Sequence, residues 1–220
     1  MKGNYRAFLF DLDGTLVDSA PDIGAALNHS LAAAGLSTVG DKLVRHWVGY
    51  GSRTLIRQAL EYHHQDISDD LIEQLLTPFL EYYTEHITDL SQVYPGVHEV
   101  LGRLRNDGHP LGVVTNKLTQ LTQPVLAGVA LADYFSVVVC GDTTNNPKPA
   151  AAPILYALEA LGAQVNESLM VGDSATDVNA AKAAGVDVAC VSYGYNHGVD
   201  VATLEPTTVL ASFDEICKLI

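Results

Sequence analysis

Long apolar runs are missing from this 220-residue sequence, so no segment of it suits a membrane-spanning helix. Basic charge is scarce: 12 lysines and arginines stand against 26 aspartates and glutamates, a net charge of −14. A surface that negative repels nucleic acid and anionic lipid, so neither is expected as a partner. It also repels phosphate, and any anion site must therefore be made locally positive by a metal ion, placed cations or helix N-termini. Only three cysteines occur, Cys140, Cys190 and Cys217, far apart and without a Cys-x-x-Cys spacing. That excludes a disulfide framework and a zinc site, and it fits a reducing cytoplasm. The eight histidines show no metal-ligand spacing either. The apolar stretch that ends at Asp11 is too short for a signal-peptide core, so a soluble cytoplasmic location is expected. Against these absences, 48% of the residues are hydrophobic and 17% charged, which excludes disorder and supports a substantial buried core.

Apolar runs of strand length recur at Ala7–Phe10, Leu111–Val114, Val137–Cys140, Leu169–Val171 and Val186–Ser192. Short continuous runs suit strands buried on both faces, the habit of parallel sheets covered by helices. Between them, Gly96–Asn106, Leu118–Ala127, Ala151–Leu161 and Ala175–Ala184 carry Ala and Leu at helical spacing, where crossover helices belong. Gly108, Gly128, Gly162 and Gly185 fall just past these stretches, where a helix C-cap takes a left-handed residue. The pattern predicts an α/β fold with a doubly wound parallel sheet. From Asp18 to about Leu90 no comparable strand run occurs, and apolar residues such as Leu71, Ile72, Leu75, Leu76, Phe79 and Leu80 recur at three and four. That stretch predicts a helical insert, so residues 1–17 and 92–220 are expected to form an α/β core and 18–91 a helical cap.

Ligands of open α/β sheets bind at the carboxyl ends of the strands, so the polar residues closing the strands carry the chemistry. The first set is Asp11-Leu12-Asp13-Gly14-Thr15. A carboxylate needs no activation to be ionised, so Asp11 can attack phosphorus directly. Asp13 can protonate the leaving alkoxide and then deprotonate the hydrolytic water, while Gly14 lets the backbone approach phosphate. Next come Thr115 and Asn116, which can either donate to phosphate oxygens or simply cap the following helix. Lys148, between Pro147 and Pro149, is either a counter-charge at the site or an ordinary solvated lysine. Asp173 closes the fourth strand end, and Asp177, four residues on, either faces the same site or caps its helix. Four converging carboxylates repel one another unless a cation sits among them, and an all-oxygen donor set favours Mg²⁺. Together these groups supply positioning and charge neutralisation, the needs of phosphoryl transfer.

In this order the four sets resemble the motifs of the haloacid dehalogenase superfamily of phosphohydrolases, and the resemblance covers essentially the whole chain, because the insert sits where subclass I members carry their cap. It implies a Rossmann-like core and Mg²⁺ held by the Asp11 side chain, the Asp13 backbone carbonyl and Asp173, supported by Asp177. Thr115, Asn116 and Lys148, with Gly14, would hold phosphate. Leu16-Val17-Asp18-Ser19, Trp47-Val-Gly49-Tyr-Gly51 and Tyr193-Gly-Tyr-Asn-His-Gly look most like phosphoglycolate phosphatases. In that subgroup the loop around Gly49–Arg53 closes over substrate, which would bring Gly51 to the site and Arg53 to a substrate carboxylate. The sequence departs from the family after Lys148-Pro149, where Ala150-Ala151-Ala152 replaces polar residues. The expectation is a Mg²⁺-dependent phosphatase acting on a small phosphorylated metabolite, most like 2-phosphoglycolate, as a monomer or weak homodimer. The alternatives are a β-phosphoglucomutase-like mutase within the superfamily and a phospho-accepting signalling domain outside it. The cap is expected to hinge on the core near Leu16–Ser19 and Val93–Gly96.

Overall fold

The structure, a computed structural model, describes residues 5–220; Lys2 and the rest of residues 1–4, included in the expected core range, lie outside the described residues. The chain enters through strand β1 (Ala7–Phe10) and crosses a two-residue strand β2 (Val17–Asp18). Four helices follow, α1 (Ala20–Ala33), α2 (Asp41–Trp47), α3 (Ser52–Tyr62) and α4 (Asp69–Glu85). The chain returns through β3 (Gln92–Val93), then alternates α5 (Val97–Asn106), β4 (Leu111–Val114), α6 (Thr119–Gly128), β5 (Val137–Val139) and α7 (Ala152–Leu161). It ends with β6 (Ser168–Gly172), α8 (Ala175–Ala184), β7 (Asp187–Val191) and β8 (Thr208–Leu210).

Six strands form one parallel sheet in the order β5-β4-β1-β6-β7-β8. Its burial explains why these runs became strands. In β1, Phe8 and Phe10 point into a layer with Val113, Val171 and α5, while Leu9 points into the opposite layer with Met170, α7 and α8. That is the two-residue alternation of a strand covered on both faces. The sheet is an α/β, Rossmann-like core. Crossovers leave β1 toward β4 on one side and β6 on the other, so a crevice opens at the carboxyl ends of β4, β1 and β6.

Helices α1–α4 have a hydrophobic cluster of their own around Leu27, Leu31, Ile56, Leu60 and Phe79. Leu121 and Tyr195, outside the four helices, join that cluster and seat it against the sheet domain. The amphipathic spacing of α4 is reinforced at its start: Ser68 Oγ accepts from the Leu71 N–H at 3.2 Å, with Asp69 and Asp70 in the first turn. The two chain crossings pair with each other, since β2 and β3 form an antiparallel ribbon. Buried Asp22 fixes its far end by accepting from the backbone N–H groups of Leu90 and Ser91 at 2.9 and 2.7 Å. Asp18, expected inside the helical insert, therefore belongs to the ribbon.

Two local expectations are corrected. Gly162 and Gly185 are left-handed C-caps as expected, but Gly128 is the last residue of α6 and the left-handed residue beyond it is Ala130, at φ 56°. Gly128 is required by packing instead, because a Cβ there would lie 2.5 Å from the Thr88 hydroxyl oxygen. The strand β8 went unpredicted; it is three residues long at a sheet edge, and only Leu210 is fully buried.

Candidate active site

Asp11 is the first residue past β1, and its N–H extends the ladder by donating to Val171 O at 2.9 Å. This fixes its carboxylate over the crevice. Oδ1 of Asp11 lies 2.9 Å from the Lys148 ammonium, within ion-pair range but off the hydrogen-bonding direction, and it is buried with no hydrogen-bond donor. Gly14 turns the chain at φ +88°, and a Cβ there would stand 2.5 Å from Asp173 Oδ2, so the backbone comes closer to the acidic group than any other residue allows. Asp13 accepts three hydrogen bonds from two side chains. The Lys117 ammonium donates to both of its oxygens at 3.0 Å, and the Ser19 hydroxyl donates to Oδ1.

The residues with a second reading are resolved by their partners. Helix α6 has Leu118 at its N-cap, and its Thr119 N–H is satisfied by Asp142 at 3.0 Å, so neither Thr115 nor Asn116 caps it. Thr115 is buried, and its hydroxyl accepts from Lys117 N–H at 3.2 Å. Asn116 donates to Lys148 O at 2.9 Å and leaves its own Oδ1 buried and unpaired. Lys148 is no solvated lysine. It is 3% exposed and lies between Asp11 and Asp177, with 2.6 Å to the latter. Asp177 fills both of its possible roles. Oδ2 closes a capping box with Ser174 and accepts the Asp173 and Ser174 N–H groups, while Oδ1 anchors Lys148. Asp173 accepts from Thr15 Oγ1 at 2.8 Å and from Tyr195 N–H at 2.6 Å.

Asp11, Asp173 and Asp177 offer carboxylate oxygens within 4.8 Å of one another. Burial foremost pushes Asp11 up to about 7; the Lys148 charge opposes this, and the charges of Asp177 and Asp13 add to it. Burial, then Asp177 and Asp11, raise Asp173 well above the usual carboxylate range. Burial disfavours both lysine ammoniums, yet their carboxylate partners outweigh it and raise Lys148 and Lys117 above an ordinary lysine. A divalent metal fits this donor set: the ligands are hard oxygens, one of them without a hydrogen-bond donor, and their mutual repulsion is what a cation relieves.

Above these groups lies a cavity of about 410 Å³. Asp11, Asp13, Thr115, Asn116 and Lys117 form its floor, and Gly49, Gly51, Arg53, Leu76, Phe79 and Tyr83 of the helical insert form its roof. Gly51 opens α3 at φ +86° with free space around it. Arg53 lines the wall, but its half-exposed guanidinium is paired with Glu73 and Asp69 of α4. Lys117, Ser19 and Tyr195 are not among the site residues expected from the sequence. Lys117 follows Asn116 at a strand end, and that position was the one available signal. Tyr195 also accepts from Ala20 N–H at 2.9 Å and donates to Asp18, which ties the loop after β7 to the start of the insert.

Among the described residues no helix is long and apolar enough to cross a membrane. A family model described as haloacid dehalogenase-like hydrolase matches residues 8–191. The chain is 42% identical over 213 residues to a phosphoglycolate phosphatase of Nitrosococcus oceani, covering 96% of this chain and 95% of that protein. It is 40% identical over 215 residues to the phosphoglycolate phosphatase of Yersinia pseudotuberculosis, covering 98% and 93%. Among solved structures, a predicted phosphoglycolate phosphatase from Haemophilus somnus superposes with a TM-score of 0.93 at 33% identity, covering 100% of this chain and 99% of that one. By these likenesses this chain belongs to the haloacid dehalogenase-like hydrolase family, among its phosphoric monoester hydrolases.

Proposed function

We propose that this hydrolase is a Mg²⁺-dependent phosphatase of small carboxylated monoesters, with 2-phosphoglycolate as substrate, Asp11 as nucleophile and Asp13 as general acid and base. The observation that carries the reading is the buried Asp11 Oδ1, ion-paired to Lys148 at 2.9 Å but with no hydrogen-bond donor, at the floor of a cavity that Asp13 shares. The names of the relatives support the substrate. Residues 1–17 and 92–220 act as the catalytic core and 18–91 as the cap, which closes over the cavity about the β2–β3 ribbon.

An Asp11 oxygen attacks phosphorus as the ester P–O bond breaks, and Asp13 gives its proton to the departing alkoxide. The same Asp13 then takes a proton from water as that water attacks the aspartyl-phosphate, releasing inorganic phosphate and restoring Asp11. Lys148 spreads positive charge over nucleophile and phosphate, Thr115 and Asn116 donate to phosphate oxygens, and the Gly14 turn leaves room for them. Asp11, Asp173 and the Asp13 backbone carbonyl would hold Mg²⁺, with Asp177 steadying Lys148 and the Asp173 loop. When bound, the ion neutralises charge that four carboxylates and a phosphate accumulate.

Asp13→Asn is expected to lower turnover of an alkyl phosphate by at least ~10²-fold, the scale of a general acid/base; a near-normal rate refutes the role. The reading as a whole is tested by assaying small monoesters, 2-phosphoglycolate included, for Mg²⁺-dependent phosphate release. Release from 2-phosphoglycolate ahead of the others is expected. Isomerisation of a sugar phosphate in its place identifies a mutase, and a stable acyl-phosphate without turnover identifies a phospho-acceptor.

A further inference from the structure

The floor of the cavity holds a cation that the hydrolytic steps leave without a task. Lys117 is 8% exposed, and two of its three N–H donors go to the Asp13 carboxylate. Its remaining neighbour is Tyr83, whose ring face lies 4.9 Å from the ammonium and whose hydroxyl is close enough to help keep the lysine charged. Tyr83 comes from α4 of the insert, is 1% exposed and has a buried hydroxyl with no hydrogen-bond partner. Burial pushes that hydroxyl up to about 12, so it stays a proton donor. The third N–H of Lys117 and the Tyr83 hydroxyl, one from each side of the seam, thus border one cavity. A buried N–H or O–H left without an acceptor is destabilising, and a ligand oxygen would relieve it.

We propose that Lys117 and Tyr83 form the receptor for the carboxylate that the substrate carries beside its phosphate ester. The placement follows from Asp13. If Asp13 protonates the ester oxygen, that oxygen lies against its carboxylate, and Lys117 stands 3.0 Å from the same two oxygens. A carboxylate one carbon from the ester oxygen therefore falls at Lys117, whereas a neutral alkyl group there leaves the ammonium and the hydroxyl unmatched. Arg53 is less suited, because Glu73 and Asp69 already neutralise it and its side chain is half in water. A ligand bridging Lys117 and Tyr83 also joins core to insert, so carboxylate binding and cap closure become one event. The inference rests on the carboxylated-monoester reading above.

The test compares kcat/KM for 2-phosphoglycolate and ethyl phosphate at saturating Mg²⁺ in the wild type, Lys117→Met and Tyr83→Phe. The ratio between substrates cancels any general effect of Lys117 on Asp13. The wild type should favour 2-phosphoglycolate; Lys117→Met should lose roughly 10²-fold of that preference and Tyr83→Phe roughly 10-fold, the range of a hydrogen bond to a charged group. Tyr83→Phe changes one atom, so it remains informative if the lysine variant folds poorly. A wild-type preference that survives intact in both variants overturns the receptor and leaves the phosphatase reading standing. A wild type with no preference overturns the carboxylated substrate itself.

Discussion

Replacing Asp11 by asparagine is expected to lower Mg²⁺-dependent hydrolysis of an aryl phosphate by at least ~10⁴-fold, the scale on which loss of a covalent nucleophile acts. The amide has nearly the shape of the carboxylate but no charge with which to attack phosphorus. An aryl phosphate is the right substrate, since its leaving group departs without a proton and the assay isolates the nucleophile from Asp13. The fold should survive. Asp11 is a buried carboxylate whose ionised form is disfavoured by burial and by Asp177 and Asp13, and Lys148 keeps Asp177 at 2.6 Å when Asp11 loses its charge. In the presence of a chelator the thermal midpoint of the variant should equal or exceed that of the wild type. Turnover within tenfold of the wild type would remove Asp11 from the mechanism.

Lys148→Met should cost both stability and activity. The side chain is 1% exposed and stands between two carboxylates at 2.9 and 2.6 Å. Removing one member of a buried ion pair leaves its partner charged and unsolvated, at a cost of about 3–5 kcal/mol. Asp177 suffers most, because it is wholly buried and its Oδ1 has no other donor. Urea unfolding with a chelator present measures this. Adding Asp177→Asn should return part of the lost stability by removing the stranded charge, and none of the activity. Phosphate release should fall roughly 10²–10³-fold, as when one preorganised charge is removed from a transition state. A stability change below ~1 kcal/mol, the size of a solvent-exposed pair, would mean that Lys148 does not organise the site.

The parts of this protein legible in its sequence are those that burial dictates. β1, β4 and the centre of β6 are continuous apolar runs because both of their faces are covered. The polar residues closing them are conspicuous for the same reason. Asp11, Asp13, Lys148, Asp173 and Asp177 thus stand out in the sequence as candidates, but whether Asp177 capped a helix or faced the site does not. It does both, through different oxygens. The competing cap reading for Thr115 and Asn116 fails because α6 starts at Thr119 with Leu118 as its N-cap, and the exact cap residue of a helix cannot be read from composition. Lys117 stayed invisible because its partner Asp13 is 104 residues away and nothing local marks the pair. The orphan hydroxyl of Tyr83 is likewise a property of packing between insert and sheet, since at sequence level that tyrosine is one more apolar position of α4. The three alanines after Pro149 also gain a place: Ala151 is the N-cap of α7 and supplies no side-chain cap, which forgoes about 1 kcal/mol that a serine or aspartate would contribute.

The central claim is that phosphate passes through Asp11. Asp13→Asn exposed to an aryl phosphate and Mg²⁺ should form the aspartyl-phosphate freely and hydrolyse it slowly, because only the second step then needs Asp13. Quenching that mixture with borohydride reduces an acyl-phosphate to an alcohol, so mass spectrometry of the peptide spanning Asp11 should find homoserine at that position. An unreduced Asp11, in a variant that has released phosphate throughout, would contradict the account.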